Sequence, residues 1–203
     1  MTTVYGFAEM LWANRGDLDR GETDAAIAAL RRQGVRLRAL VTSLLDYTRI
    51  DPARPVIPVR PVRPATAIRR TLSQLPPPSS RRVDVAVSDH VRLLADEQHL
   101  DQILVNLLGN AYRYGGRNIR IEAHDRDHHT ELLVADDGPG IAPPFMSSLF
   151  EPFSRGAHAG ESAGSGLGLA IVRSLAVSLG GSVRYEPGIP AGARFVVSLR
   201  RAE

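Results

Sequence analysis

The chain contains no cysteine. Disulfides, a thiol nucleophile and any Cys-ligated zinc or iron–sulfur centre are therefore excluded. It contains no lysine either, all 25 of its basic side chains being arginine. That excludes a Walker A loop, a Schiff base and a strand lysine of the protein-kinase type. Aromatic residues are scarce, at 5%. No apolar run approaches the roughly 18–20 residues of a membrane span, and the N-terminal segment lacks a signal-peptide core. These absences lead us to expect a soluble, cytoplasmic chain with no membrane segment. What is present is ample for a core: 43% of the 203 residues are hydrophobic, enough for one ordinary domain or two small ones.

Charge is unevenly spread. Residues 1–82 hold 14 arginines against 7 acids, whereas residues 83–203 hold 11 against 15. A basic N-terminal piece fits a nucleic acid or an acidic partner, but reads first as a solvated arginine face in a chain that uses arginine throughout. No DNA-reading motif accompanies it, and we expect no nucleic-acid partner.

Val4, Phe7 and Leu11 predict a first helix from Thr3 to about Trp12, ended by Gly16 and Asp17. A second helix, capped by Thr23 or Asp24, carries Ile27, Leu30, Gly34, Leu37, Val41, Leu44 and Thr48 in alternating steps of 3 and 4. Such a seam suits a helical hairpin that dimerises into a four-helix bundle, and equally an amphipathic helix packed on its own domain. Prolines at 52, 55, 58, 61 and 64 then predict an extended connector. The expected domains are a hairpin over 1–50, a linker over 51–64 and a second domain over 65–203. That domain reads as a helix from Ala65 to about Leu75, strands at Val83–Val87 and Val91–Leu94, and a long helix from Glu97 to Tyr114. Strands at Asn118–Ala123 and Glu131–Ala135 flank a polar loop; a helix to about Leu179 and strands at Ser182–Tyr185 and Arg194–Leu199 follow. Strands with helices on one face make an α+β two-layer sandwich.

Four short motifs occur in order, each weak alone. On the long helix Asn106, Asn110 and Arg113 share one face at i, i+4 and i+7. They are either a solvated face or amide oxygens for a hard cation such as magnesium, which keeps several waters and needs few protein ligands. Asp136-Asp137-Gly138-Pro139-Gly140-Ile141 ends a strand. It is an ordinary turn, or a carboxylate for a purine amino group beside glycines that admit a flat base. Leu149-Phe150-Glu151-Pro152-Phe153-Ser154-Arg155 is core, or an aromatic peg under a lid with a guanidinium for a terminal phosphate. Gly164-Ser165-Gly166-Leu167-Gly168-Leu169 is a flexible linker, or a glycine-rich helix entrance with free N–H groups for an anion. A Rossmann reading fails, for want of the strand and the spacing.

In this order and at these separations, the set resembles the N, G1, F and G2 boxes of sensor histidine kinases, within the GHKL ATPase superfamily. The resemblance implies a Bergerat-type ATP-binding sandwich. It implies that Asn110 ligates magnesium, that Arg113 and Tyr114 lie near the nucleotide, and that Asp136 reads adenine. Gly138, Gly140 and Ile141 would line the base. Gly164, Ser165, Gly166, Leu167, Gly168 and Leu169 would form the ATP lid, and Arg155 would meet phosphate. Hydrolases of the superfamily carry Glu where this chain has Asn106; an amide is a poor general base, so Asn106 favours transfer to a protein over hydrolysis. A response regulator is the implied downstream partner.

The N-terminal segment resembles the dimerisation and phosphotransfer hairpin of the same family, with Asp46–Arg49 matching the end of its second helix. The family's Ser-His-Glu-Leu-Arg-Thr-Pro-Leu box is met only at its last residue, by the segment from Met1 to Ala8. No histidine precedes His90. The phosphoacceptor is thus expected outside this chain, and self-phosphorylation is not expected. Three readings stay open: a truncated kinase, a split kinase acting on a separate His-box-bearing subunit, and an ATP-binding regulatory module without transfer.

Overall fold

The computed structural model describes residues 2–13, 19–49, 58–154 and 165–202. Contacts divide the chain into two compact units, Met1–Leu45 and Asp46–Glu203. The first contains helix α1 (Thr2–Ala13) and most of helix α2 (Arg20–Arg49). The sequence placed the α2 cap at Thr23 or Asp24; the cap is instead Asp19. Its Oδ1 accepts the Glu22 N–H at 2.7 Å, and Glu22 Oε2 accepts the Asp19 N–H at 3.1 Å, a reciprocal capping box. Along α2, Ala26 and Ala29 are buried, while the seam residues Ile27, Leu37 and Val41 stand about half exposed.

The second unit is a mixed sheet under a layer of helices. Strand β1 (Arg60–Val62) pairs antiparallel with β3 (Leu93–Ala95) in a small two-stranded sheet. The five-stranded sheet runs β2 (Arg82–Ala86), β4 (Asn118–Asp125), β5 (His129–Asp136), β7 (Ala193–Arg200), β6 (Ser182–Pro187). Only β2–β4 is parallel. Three helices, α3 (Pro64–Gln74), α4 (Glu97–Tyr114) and α6 (Gly168–Ser178), supply the second layer, and α5 (Pro143–Met146) is a single turn. β1 and α5 were not expected: residues 60–62 leave the proline-rich stretch to join a sheet.

Helix α4 is set by its sequence. Asp96 caps it, accepting the His99 N–H at 3.0 Å, and Glu97 and Arg113 complement its dipole at either end. Its apolar stripe, Leu100, Ile103, Leu104, Leu107 and Leu108, is fully buried. Proline at its first position starts α3. Arg70 ties α3 to α4 through paired bonds of 2.7 and 2.8 Å to Asp101.

Alternation along β5 sorts the sheet's two faces. Leu132 and Val134 register with Val197 and Phe195 and form the helix-facing core with Ile119, Ile121 and Leu199. The outer face carries an ionic ladder in which Glu131 meets Arg184 at 2.9 Å and Arg126 at 3.2 Å. Leu133 and Val196 lie buried on that side.

Candidate functional site

The site begins on the polar side of α4. Asn106 Nδ2 donates to the Gln102 carbonyl at 2.8 Å, which fixes the amide and turns Oδ1 toward Gly168. Opposite it lies the first residue of α6. A Cβ at Gly168 would stand 3.0 Å from Asn106 Oδ1 and 3.9 Å from Asn110 Nδ2. Both asparagines therefore border a space that exists because position 168 has no side chain. The α6 N-cap, Leu167, makes no side-chain capping bond, so first-turn N–H groups remain for an anion beside the positive end of the helix. Leu167 is buried and anchors this entrance.

The lid's return is equally constrained. Gly166 adopts φ +73, and a Cβ there would lie 2.9 Å from Phe153 C and from Ser154 O. The Phe153 N–H donates to the Gly166 carbonyl at 2.9 Å, and the Leu167 N–H donates to Ser165 Oγ at 3.2 Å. The aromatic motif splits: Phe150 packs edge-on to Phe195, while Phe153 is 61% exposed. Arg155 and Gly164 lie outside the described residues. Arg113 and Tyr114 are exposed on the last turn of α4, with the guanidinium 5.8 Å from the Tyr114 ring centre.

Asp136 ends the helix-facing row of β5. Burial raises its carboxyl above the usual carboxylate range; bonds from the Gly138 and Ala193 N–H groups and the Arg81 charge act the other way, and the Asp137 charge adds to the rise. The Gly138 N–H donates to Asp136 Oδ1 at 2.9 Å. Gly115 and Gly138 crowd this carboxylate: a Cβ at Gly115 would lie 2.8 Å from Asp136 Cβ, and one at Gly138 2.8 Å from Oδ1. Asp137 behaves oppositely. It takes bonds from the Asn118 N–H at 2.8 Å and Asn118 Nδ2 at 2.7 Å, which hold its carboxyl low. Asp137 thus clamps β4 to the end of β5, whereas the Asp136 carboxylate is held by the Gly138 and Ala193 N–H groups beside it.

Several residues here were not read from the sequence. Gly115 and Gly116 look like a plain helix stop, yet no side chain fits at either beside Asp136 and Asp137. Gly192, at φ +113, rests on the Asp136 carbonyl. Arg81 bonds the Gly116 carbonyl and reaches that of Tyr112 at 3.2 Å. The Tyr185 hydroxyl accepts the Ile141 N–H at 3.3 Å. Only the Gly115-Gly116 pair gave a sequence signal; the other contacts join positions far apart in the chain.

The site combines a half-buried carboxylate among glycines, hard amide oxygens and a helix entrance with free N–H groups. A purine, a hard cation and a phosphate chain find matching chemistry there. Among the described residues no group of three or more His, Asp or Glu is placed to hold a metal ion. A cleft of about 760 Å³ opens at the end of β5, lined by Asp136, Asp137, Asn118, Arg82, Ile189 and Arg194 among others. Asn106, Asn110 and residues 165–169 do not line it, so of the motif residues it takes in the end of β5 alone.

Residues 95–203 match the family described as histidine kinase-, DNA gyrase B- and HSP90-like ATPase. The chain belongs to this family. Among similar curated proteins, the sensor protein RstB of Escherichia coli is 35% identical over 175 residues, covering 84% of this chain and 40% of RstB. The histidine-protein kinase AfsQ2 of Streptomyces coelicolor is 32% identical over 196 residues, covering 94% of this chain and 36% of AfsQ2. The chain thus spans well under half the length of these relatives. Among solved structures, the mycobacterial sensor histidine kinase MprB superposes with a TM-score of 0.62 at 28% identity, over 70% of this chain and 97% of that one. Full-length ShkA, solved in complex with AMPPNP, gives 0.70 at 29% identity, over 99% of this chain and 43% of that one. The fold is accordingly the GHKL ATP-binding fold, with the N-terminal helices preceding it. Among the described residues no helix is long and apolar enough to cross a membrane.

Proposed function

We propose that the chain is the catalytic part of a two-component histidine kinase. It binds MgATP and transfers the terminal phosphoryl group to a histidine outside this chain, which then supplies a response regulator. The observation that carries this reading is the meeting of Asn106 and Asn110 with the open entrance of α6 at Gly168. In this reading Asp136, as the carboxylate, accepts from the adenine amino group. Gly138, Gly140 and Ile141 admit the base, and Arg113, Tyr114 and Arg155 lie along the nucleotide. Asn110 would hold magnesium, which supplies charge neutralisation to the phosphates. The N–H groups near Gly166 and at the head of α6 hold the phosphate chain in line, and Asn106 supplies no base for water. Phosphoryl transfer needs chiefly this positioning and charge stabilisation. The exposed seam of α2 supports a homodimer through the helical hairpin, and the acceptor His box belongs either to the remainder of a truncated kinase or to a separate subunit.

The test is label transfer from gamma-labelled MgATP, with the chain alone and with a separate hairpin fragment bearing an intact His box. Acid-labile label on the fragment only is expected. Label on this chain would overturn the claim of an external acceptor. No label on either, with ATP binding confirmed in the same samples, would favour the regulatory module.

A further inference from the structure

We propose that Tyr185 is a positioning residue that couples the Gly138–Ile141 loop to the base of the lid through Phe195 and Phe150. Its effect on nucleotide binding rests on the function proposed above; the coupling itself does not. Tyr185 sits on β6 directly opposite Phe195 on β7, their rings 5.8 Å apart and inclined at 53°. The far edge of the chain of rings is Phe150, 6.5 Å from Phe195 and perpendicular to it. At the near end the Tyr185 hydroxyl accepts the Ile141 N–H at 3.3 Å. Gly140, at φ +72, presses the loop down here: a Cβ would lie 2.8 Å from the Gly192 carbonyl oxygen and 3.6 Å from the Tyr185 hydroxyl.

The loop is therefore pinned twice, at Gly138 by the Asp136 carboxylate and at Ile141 by Tyr185. Beyond Phe150, the Phe153 N–H holds the Gly166 carbonyl, and Gly168 rests on Asn106. The three rings thus join the adenine side of the site to its phosphate side through packed core rather than through solvent. Ile141, Phe150 and Tyr185 all pack on the same buried cluster. Close-packed interiors transmit strain, so loosening either end is expected to register at the other. Such coupling is reciprocal, and that gives it a measurable signature.

The test is amide hydrogen exchange on the whole chain without nucleotide. Tyr185→Phe keeps the ring and removes the hydroxyl. It is expected to speed exchange at least about threefold at 138–141 and also at 149–153, leaving the Leu132 and Val197 amides unchanged. Phe150→Leu should speed the Ile141 amide in return. Met146→Ala, in the exposed turn between the two segments, should move neither. A response to Tyr185→Phe confined to 138–141 would overturn the coupling, as would an equal rise at Leu132 and Val197, which marks general destabilisation. In a second arm, adenosine and AMPPNP are titrated into both single variants and the double. Losses that simply multiply refute the coupling; a departure of at least about threefold supports it. Asp136→Asn is titrated alongside. If it binds like the parent, the nucleotide reading fails while the exchange result stands by itself.

Discussion

Gly168→Ala separates the space at the head of α6 from the stability of the helix. The added methyl would stand 3.0 Å from Asn106 Oδ1, closer than ordinary van der Waals contact, so Asn106 must give by a few tenths of an ångström. It is poorly placed to do so, because its Nδ2 is held by the Gln102 carbonyl at 2.8 Å. For folding, the crowding opposes the gain of about 0.4–1 kcal/mol that Gly→Ala brings by restricting the unfolded chain. The melting temperature should therefore move little. For binding, the methyl occupies the ground between both asparagines and the first-turn N–H groups. Loss of one charge-assisted contact to phosphate or metal is worth about 1.5–3 kcal/mol, or about 10- to 150-fold in affinity. Calorimetric titration with magnesium and AMPPNP, beside a thermal melt of each protein, reads both quantities. Parent-like affinity in a folded Gly168→Ala protein would refute the reasoning, since the space would then not be where the phosphate chain lies.

Gly109 provides the matching control. It lies within α4 with nothing within 4 Å of a Cβ, so Gly109→Ala should stabilise by about 0.5–1 kcal/mol, raise the melting temperature and leave nucleotide affinity unchanged. Asp136 accepts a hydrogen bond from an amino group most strongly when ionised, and burial holds its carboxyl above the usual range. Affinity for ATP should therefore fall as pH drops through that raised value, sooner than for an ordinary carboxylate, as titrations across pH would show. The sign for folding is the reverse. The protonated form is favoured in the fold, so this group's contribution is greatest below its unfolded value and declines as pH rises through the folded one. Asp136→Asn should gain stability relative to the parent over that rise while losing ATP binding, which melts at matched pH would check. Gly192→Ala should cost at least about 2 kcal/mol, because position 192 needs φ +113 and lies against the Asp136 carbonyl; a parent-like denaturation midpoint would contradict this.

Elements with a strong period were legible. The apolar stripe of α4 gave Glu97–Tyr114 to the residue, and alternation gave β4, β5 and β7 within a few positions. Prolines hid β1, since Pro61 removes a ladder donor; the strand has three residues and pairs on one side only, where that loss is tolerated. The Asp19–Glu22 capping box lies one turn before the expected cap and contains Gly21, which at the second helical position forgoes no intrahelical bond. At the site, order and spacing named Asn106, Asn110, Asp136 and Gly168. They could not show that Gly168 faces the two asparagines or that Gly115 and Gly192 close on Asp136. Those contacts exist only once distant segments are packed, and the glycine code does not record what occupies the space beside it.

The paired carboxylates at the end of β5 bear on how this sequence tolerates insertions and deletions. Successive strand residues face opposite sides of a sheet, so Asp136 and Asp137 have separate duties only while the strand keeps its register. Removing or adding one residue within β5 would carry Asp137 toward the helix side and Asp136 toward the ionic ladder. The composition would be almost unchanged and the motif would still read Asp-Asp-Gly. A search by motif would accept such a variant; a strand counted residue by residue from its partner would not.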